Sequence, residues 1–223
     1  MQKIEHPALS AIGWLIHGFY TREGAPEAVM TLRQVHSAEA RYVTGPFSPD
    51  AVPEGDALVT DQPDLLIGVR TADCVPVLFA DRKKKIVGVA HAGWRGALDG
   101  IAEKTIDEMR LLGSAPGDIV AVIGPCIGPH SYEVSQDFQK PFVHQDKNNA
   151  LFFKQAQKTG HLMFDLPGYV AARLQKTGVT SVHDLACDTL SDETRFFSHR
   201  RGTLRGKVDY GRQISLIGIR KTP

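Results

Sequence analysis

Two histidines and a cysteine have the chemistry to share one metal ion: His36 in Q-V-H-S, Cys74 in T-A-D-C-V-P-V-L-F and His91 in H-A-G-W-R-G. Imidazole nitrogen and thiolate sulfur are borderline-soft donors that suit zinc. Each residue stands at or beside the end of an apolar, β-branched run, where a strand gives way to a loop. Three such ends can converge on one ion and leave its fourth position open, which marks a catalytic rather than a structural zinc. The long separations match no short metal-binding pattern, so the local contexts carry this reading. The glycines of A-G-W-R-G let the backbone approach a ligand closely at the entry to a helix.

Other chemistry is open to the same residues. Cys74 and His91 would also form a nucleophilic dyad, a thiolate activated by imidazole, with Asp73 or His36 orienting the base. Copper oxidase chemistry is a third reading, but multicopper sites gather histidines in His-x-His pairs, and the nine histidines here include no such pair. Asp73 is a candidate to shuttle a proton or to orient a ligand histidine, because a ligating imidazole normally donates its second N–H to an oxygen. Arg33, Arg70 and Arg95 stand in or beside these segments, and Arg212 stands after Tyr210-Gly211, before the last strand. Gathered near a metal they would bind phosphate or a phosphorylated substrate, whose oxygens match guanidinium forks. Trp94 would wall an aromatic substrate or fill the core. Cys126 reads as a packing residue in its Gly/Pro loop, and Cys187 has no partner in view.

The elements that must position these residues are legible as apolar patterns. Residues 12–19, 41–44, 56–60 and 65–69 read as strands, the last two separated by the turn D-Q-P-D. Residues 75–80 and 86–90 flank a polar turn and read as a hairpin. Between residues 96 and 112 the apolar spacing becomes helical, with Gly113 as its C-cap. Residues 119–123 are a buried strand running into G-P-C-I-G-P. Residues 135–142 and 148–157 have helical character. Residues 166–176 are the best late helix, with Asp165 as N-cap, Pro167 in the first turn and Gly178 as its end. Residues 179–185 and 213–220 are strands. Strands and helices do not alternate as βαβ units would, which favours an α+β fold: one domain over residues 1–223, a mixed or antiparallel sheet core packed by helices.

Composition excludes several function classes. The chain has 223 residues, 42% hydrophobic and 23% charged, with a formal net charge of +1. That balance gives no electrostatic footprint for nucleic acid or an acidic membrane. The basic run at residues 82–85 reads as a strand-connecting turn and the arginines of residues 195–205 as a surface stretch broken by glycine. No apolar stretch approaches the roughly 20 residues of a membrane span. The N-terminus lacks a secretory signal's plan, and three cysteines without framework spacing point to a reducing compartment, so a cytoplasmic location is expected.

The strings Q-V-H-S, T-A-D-C-V-P-V-L-F, H-A-G-W-R-G, I-G-P-C-I-G-P-H-S-Y-E-V, F-F-S-H-R-R and G-R-Q-I-S-L-I, in that order along nearly the whole chain, resemble the laccase-domain or polyphenol-oxidase-like family. Its members are described as purine nucleoside phosphorylases, and some bacterial ones as peptidoglycan editing factor. The resemblance implies a single α+β domain with zinc on His36, Cys74 and His91. It also implies phosphorolysis of adenosine, inosine and methylthioadenosine, plus adenosine deamination. Purine nucleosides and phosphate are thus the expected partners, with Cys74, His91 and Asp73 at the reacting centre. Copper-linked oxidase activity is also attributed to the family. Two positions depart from its common pattern: His199 stands where tyrosine is usual, and Cys126 where alanine is frequent. The alternatives are a Cys–His hydrolase acting on a nucleotide-linked cell-wall precursor and a non-catalytic metal-binding protein. Oligomeric state is not legible.

Overall fold

In the computed structural model, which describes residues 1–207 and 209–221, thirteen strands and six α-helices follow one another along the chain. The first part holds β1 (Lys3–Ile4), α1 (Pro7–Ser10), β2 (Leu15–Tyr20), β3 (Ala40–Tyr42), β4 (Ala57–Thr60) and β5 (Ile67–Thr71). Then come β6 (Val75–Asp81), β7 (Val87–Ala92), α2 (Trp94–Asp99), α3 (Ile101–Leu111) and β8 (Ile119–Ile123). A small segment follows, with β9 (Glu133–Ser135), α4 (Lys140–Gln145), β10 (Phe153–Gln155) and β11 (His161–Phe164). The chain closes with α5 (Leu166–Lys176), β12 (Ser181–Asp184), α6 (His199–Leu204) and β13 (Gln213–Ile219).

Three sheets result. The large one is mixed, in the order β12-β8-β6-β7-β4-β3, with parallel pairs at both edges and antiparallel pairs between. The second runs β1-β2-β13-β5 and is antiparallel throughout, as is the small sheet β10-β11-β9. This is the α+β architecture that the irregular order of elements implies.

The large sheet is covered on both faces, which explains why its central strands read as unbroken apolar runs. Along β6, Val75, Val77 and Phe79 face a core shared with Ile101, Ile106, Tyr169 and Leu174 of the helices. The alternate residues Leu78 and Ala80 face a second core shared with Phe19, Ile67, Val69 and Ile217 of the antiparallel sheet. The two sheets approach closely at Gly124, where a Cβ would stand 2.1 Å from the Phe19 ring. Only glycine fits there.

Several sequence expectations change in detail. The strands around D-Q-P-D form no hairpin: β4 enters the large sheet and β5 the antiparallel one, so this turn carries the chain between layers. The helical stretch at 96–112 is two helices, broken at Gly100 with φ 97°. The helical expectation for residues 148–157 is overturned. That segment is a short 3-10 turn followed by β10, because Phe153 stacks on Phe164 of β11 with ring centroids 4.5 Å apart. The caps are as expected, with Asp165 accepting from Gly168 N and Gly113 and Gly178 at positive φ. Among the described residues no helix is long and apolar enough to cross a membrane.

Candidate metal centre and cleft

The ligand atoms of His36, Cys74 and His91 lie within 4.8 Å of one another. Strand register accounts for two of them. Val75 pairs with Ala92 and Pro76 with His91, so Cys74 just before β6 faces Gly93 just after β7. A side chain at Gly93 would put its Cβ 2.6 Å from His36 Nδ1 and 3.1 Å from Cys74 Sγ, so glycine keeps the centre open.

His36 arrives from a loop, at φ 60°, a conformation uncommon outside glycine. The buried Asp56 holds it there. Its carboxylate accepts the backbone N–H groups of Val35, His36 and Ser37 at 3.3, 3.1 and 2.6 Å, and the Ser37 hydroxyl at 2.7 Å. It also lies 2.8 Å from His91 Nδ1. Burial would raise this carboxyl, but hydrogen bonds from His91 and Ser37 outweigh it and hold Asp56 below the ordinary range. An ionised carboxylate only accepts, so His91 Nδ1 carries a proton towards Asp56 and Nε2 is the nitrogen left to face the centre. One carboxylate thus positions two ligands.

These residues fit a metal. The donors are two imidazoles and a thiol that the site itself deprotonates. Burial would raise Cys74, but the charge of His91 and hydrogen bonds from His36 and His91 bring it down to about 6. Burial would lower His91, and Cys74 and Asp56 instead raise it to about 9. Among the described residues this is the one cluster of three or more ligating side chains with such geometry.

Asp73 neighbours the centre and lines the cleft around it, but its carboxylate is hydrogen-bonded to other groups than the histidines. The sequence made it the candidate partner of a ligand imidazole; Asp56 holds that position. The Asp73 carboxylate accepts the Thr189 hydroxyl at 2.6 Å, the Ser198 hydroxyl at 3.0 Å and the Arg200 backbone N–H at 2.6 Å. With φ 84°, it ties the start of β6 to the segment that carries α6.

The centre opens into a cleft of about 780 Å³, within the range of small-molecule sites. Arg70, Arg95 and Arg212 line it, and so do Arg200 and His199, which the sequence did not place there. Arg95 stacks over Trp94 at 4.7 Å, Arg200 over Tyr132 at 5.5 Å and Arg212 over Tyr210 at 5.4 Å. Among the described residues none of these four arginines pairs with a carboxylate. Arg33 is different: it pairs with Glu54 at 2.9 Å and is absent from the cleft wall. Trp94 serves both roles open to it, lining the cleft while packing edge-on against Phe138 at 4.9 Å. Cys126 is buried. In the basic stretch, Arg201 is structural, donating to the carbonyls of Thr189, Leu190 and Phe196.

Asp56 and Arg200 escaped sequence reasoning for different reasons. Asp56 precedes an apolar strand and looks like its polar flank. Its role depends on residues 35–37 folding over it. Arg200 lies in a run of arginines whose members look alike until α6 is placed.

A family model described as "Multi-copper polyphenol oxidoreductase laccase" matches residues 18–220. A Rickettsia conorii protein named purine nucleoside phosphorylase is 39% identical over 173 residues, covering 78% of this chain and 70% of its own. An Escherichia coli K12 protein of the same name is 33% identical, with 82% of this chain and 72% of its own covered. The crystal structure of YlmD from Geobacillus stearothermophilus superposes with a TM-score of 0.84 at 27% identity, covering 97% of this chain and 94% of that one. A Bacillus licheniformis protein titled hypothetical protein YfiH gives 0.77 at 34% identity, covering 86% and 74%.

Proposed function

This chain belongs to the multi-copper polyphenol oxidoreductase laccase family, and we propose that within it the chain acts as a zinc-dependent purine nucleoside phosphorylase that also deaminates adenosine. The observation that carries this reading is the pairing of a His₂Cys centre with four guanidiniums free of carboxylates in one cleft. The names of the relatives point the same way.

Zinc, when bound by His36, Cys74 and His91, would supply Lewis-acid chemistry. The chain's own residues do the rest. Asp56 holds the Nδ1 proton of His91 and fixes the ring, so that Nε2 faces the centre. Arg70, Arg95, Arg200 and Arg212 gather phosphate and offset its charge. Stacking on Trp94, Tyr132 and Tyr210 occupies the guanidinium faces and leaves their N–H edges to donate. Ile127, Leu166 and Trp94 give the cleft an apolar stretch for a purine ring. In phosphorolysis a phosphate oxygen bonds to the anomeric carbon of the ribose as the glycosidic C–N bond breaks. The electron pair leaves with the purine, which takes up a proton, and ribose 1-phosphate and free base result. Deamination adds water at C6 of adenosine and releases ammonia. Methylthioadenosine, with its apolar 5′ group, is a third substrate of the phosphorolytic reaction.

A second reading has an observation of its own. Cys74, His91 and Asp56 also make a nucleophile–base–carboxylate series like that of thiol hydrolases. One experiment separates the two. Purified protein is incubated with adenosine, inosine or methylthioadenosine, with and without phosphate, and free base, sugar 1-phosphate and ammonia are measured beside bound zinc. Phosphate-dependent base release that disappears on chelation and returns with zinc supports the phosphorylase. Activity that survives chelation and is lost on alkylation supports the hydrolase. Bound zinc without turnover leaves a metal-binding protein.

A further inference from the structure

Arg70 and Arg212 face two hollows at once. They line the cleft of the metal centre, and they also line a second cavity of about 390 Å³ on their other side. The β5–β13 register explains this wall. Arg70 pairs with Ile214, which places Arg212, just before β13, as a diagonal neighbour of Arg70.

Two glutamines brace the wall as an extra strand would. The Gln34 amide accepts from Arg70 N at 2.8 Å and donates to Arg70 O at 2.8 Å. The Gln213 amide accepts from Phe197 N at 2.8 Å and donates to Phe197 O at 3.4 Å.

Arg22 stands on the far side and lines the second cavity. It stacks on Phe197 at 4.8 Å and donates to the Glu193 carbonyl at 2.7 Å, which fixes it without neutralising it. Glu27 is the one carboxylate lining this cavity, against the three guanidiniums of Arg22, Arg70 and Arg212.

We propose that the second cavity is a separate entrance for inorganic phosphate: Arg22 draws the anion in, and Arg70 and Arg212 hold it at the wall, facing a nucleoside that occupies the main cleft. The inference rests on the phosphorylase reading. A second approach to the shared arginines lets the anion reach them while a nucleoside occupies the main cleft. With two entrances either substrate binds first, and the kinetics are random-order.

Arg22→Ala and Ala25→Trp test it, the first removing the outer charge and the second filling the cavity without altering charge. Each should raise KM for phosphate about ten-fold, the scale of one charge-assisted hydrogen bond, with KM for inosine unchanged. Arg22→Lys should recover most of the loss, and melting temperatures show that all three variants fold. Equal rises in both KM values, no change in either, or compulsory-order kinetics in the wild type would overturn the proposal. Titration with inorganic phosphate followed by ³¹P NMR keeps the two readings apart. Phosphate binding weakened by Arg22→Ala in a protein without phosphorolysis would overturn the phosphorylase reading and retain the anion site. No phosphate binding by the wild type would overturn the site itself.

Discussion

Asp56 bears more of the metal centre than any ligand does, since it holds the His36 loop and the His91 ring together. Asp56→Asn keeps the shape but can offer an N–H to His91 Nδ1, which favours the wrong tautomer. Zinc affinity should fall about 10–100-fold, measured by competition with a chromogenic chelator. Affinity within two-fold of wild type would refute this role. Gly93→Ala is a complementary change. Its Cβ would sit 2.6 Å from His36 Nδ1, so zinc content should drop well below one per chain while overpacking costs about 1–3 kcal/mol of stability. The thiol of Cys74 gives a third test. In zinc-free protein its alkylation should titrate with a midpoint near 6, not near the ordinary value of 9. The linked stability has a sign. The Cys74 contribution is lost as pH falls through about 6, and that of His91 as pH rises through about 9. Between those values the two changes run in opposite directions and offset each other, so this pair should leave the melting temperature of zinc-free protein nearly level there; a steep slope across that window would contradict it.

At the level of elements, the decisive connection is between β6 and α6. Asp73, beside the first residue of β6, accepts from Ser198, the N-cap of α6, and from Arg200 within it. If Asp73 is an anchor, Asp73→Asn and Ser198→Ala should each lower kcat/KM by about ten-fold or more, the scale of a lost buried hydrogen bond, with zinc content intact and the pH profile unmoved. Loss of one limb of that profile in Asp73→Asn alone would show instead that Asp73 carries a proton. The sequence revealed the His36, Cys74 and His91 cluster and the doubly covered strands because both are local signals: a candidate ligand is a residue type, β8 is apolar throughout and β6 is apolar up to Asp81. It concealed α6, a six-residue helix with two arginines and a glycine, which forms because Asp73 and three carbonyls receive its donors. It misread β10 for the same reason, since the partner that selects a strand there is a phenylalanine in β11. The arginine wall is likewise a product of register between β5 and β13, which are far apart in sequence.

The molecule as a whole is knitted by its last strand. β13 lies between β2 and β5, pairing with each over five residues. Without it the antiparallel sheet falls into two pieces, the second core loses Ile217 and Ile219, and Arg70 loses its neighbour. Ending the chain at residue 212 should therefore give protein with no cooperative melting transition, not a folded enzyme of lower activity; a cooperative transition by calorimetry would contradict this. During synthesis the consequence is one of timing. His36, Cys74 and His91 all fall within the first 91 residues, yet β2 and β5 wait for a strand made more than a hundred residues later. Contacts this distant in sequence close slowly. For that interval the nascent chain offers two unpaired strand edges while the three side chains of the candidate metal centre are not yet fixed in place, so metal capture at that stage would compete with shielding by chaperones for the same intermediate.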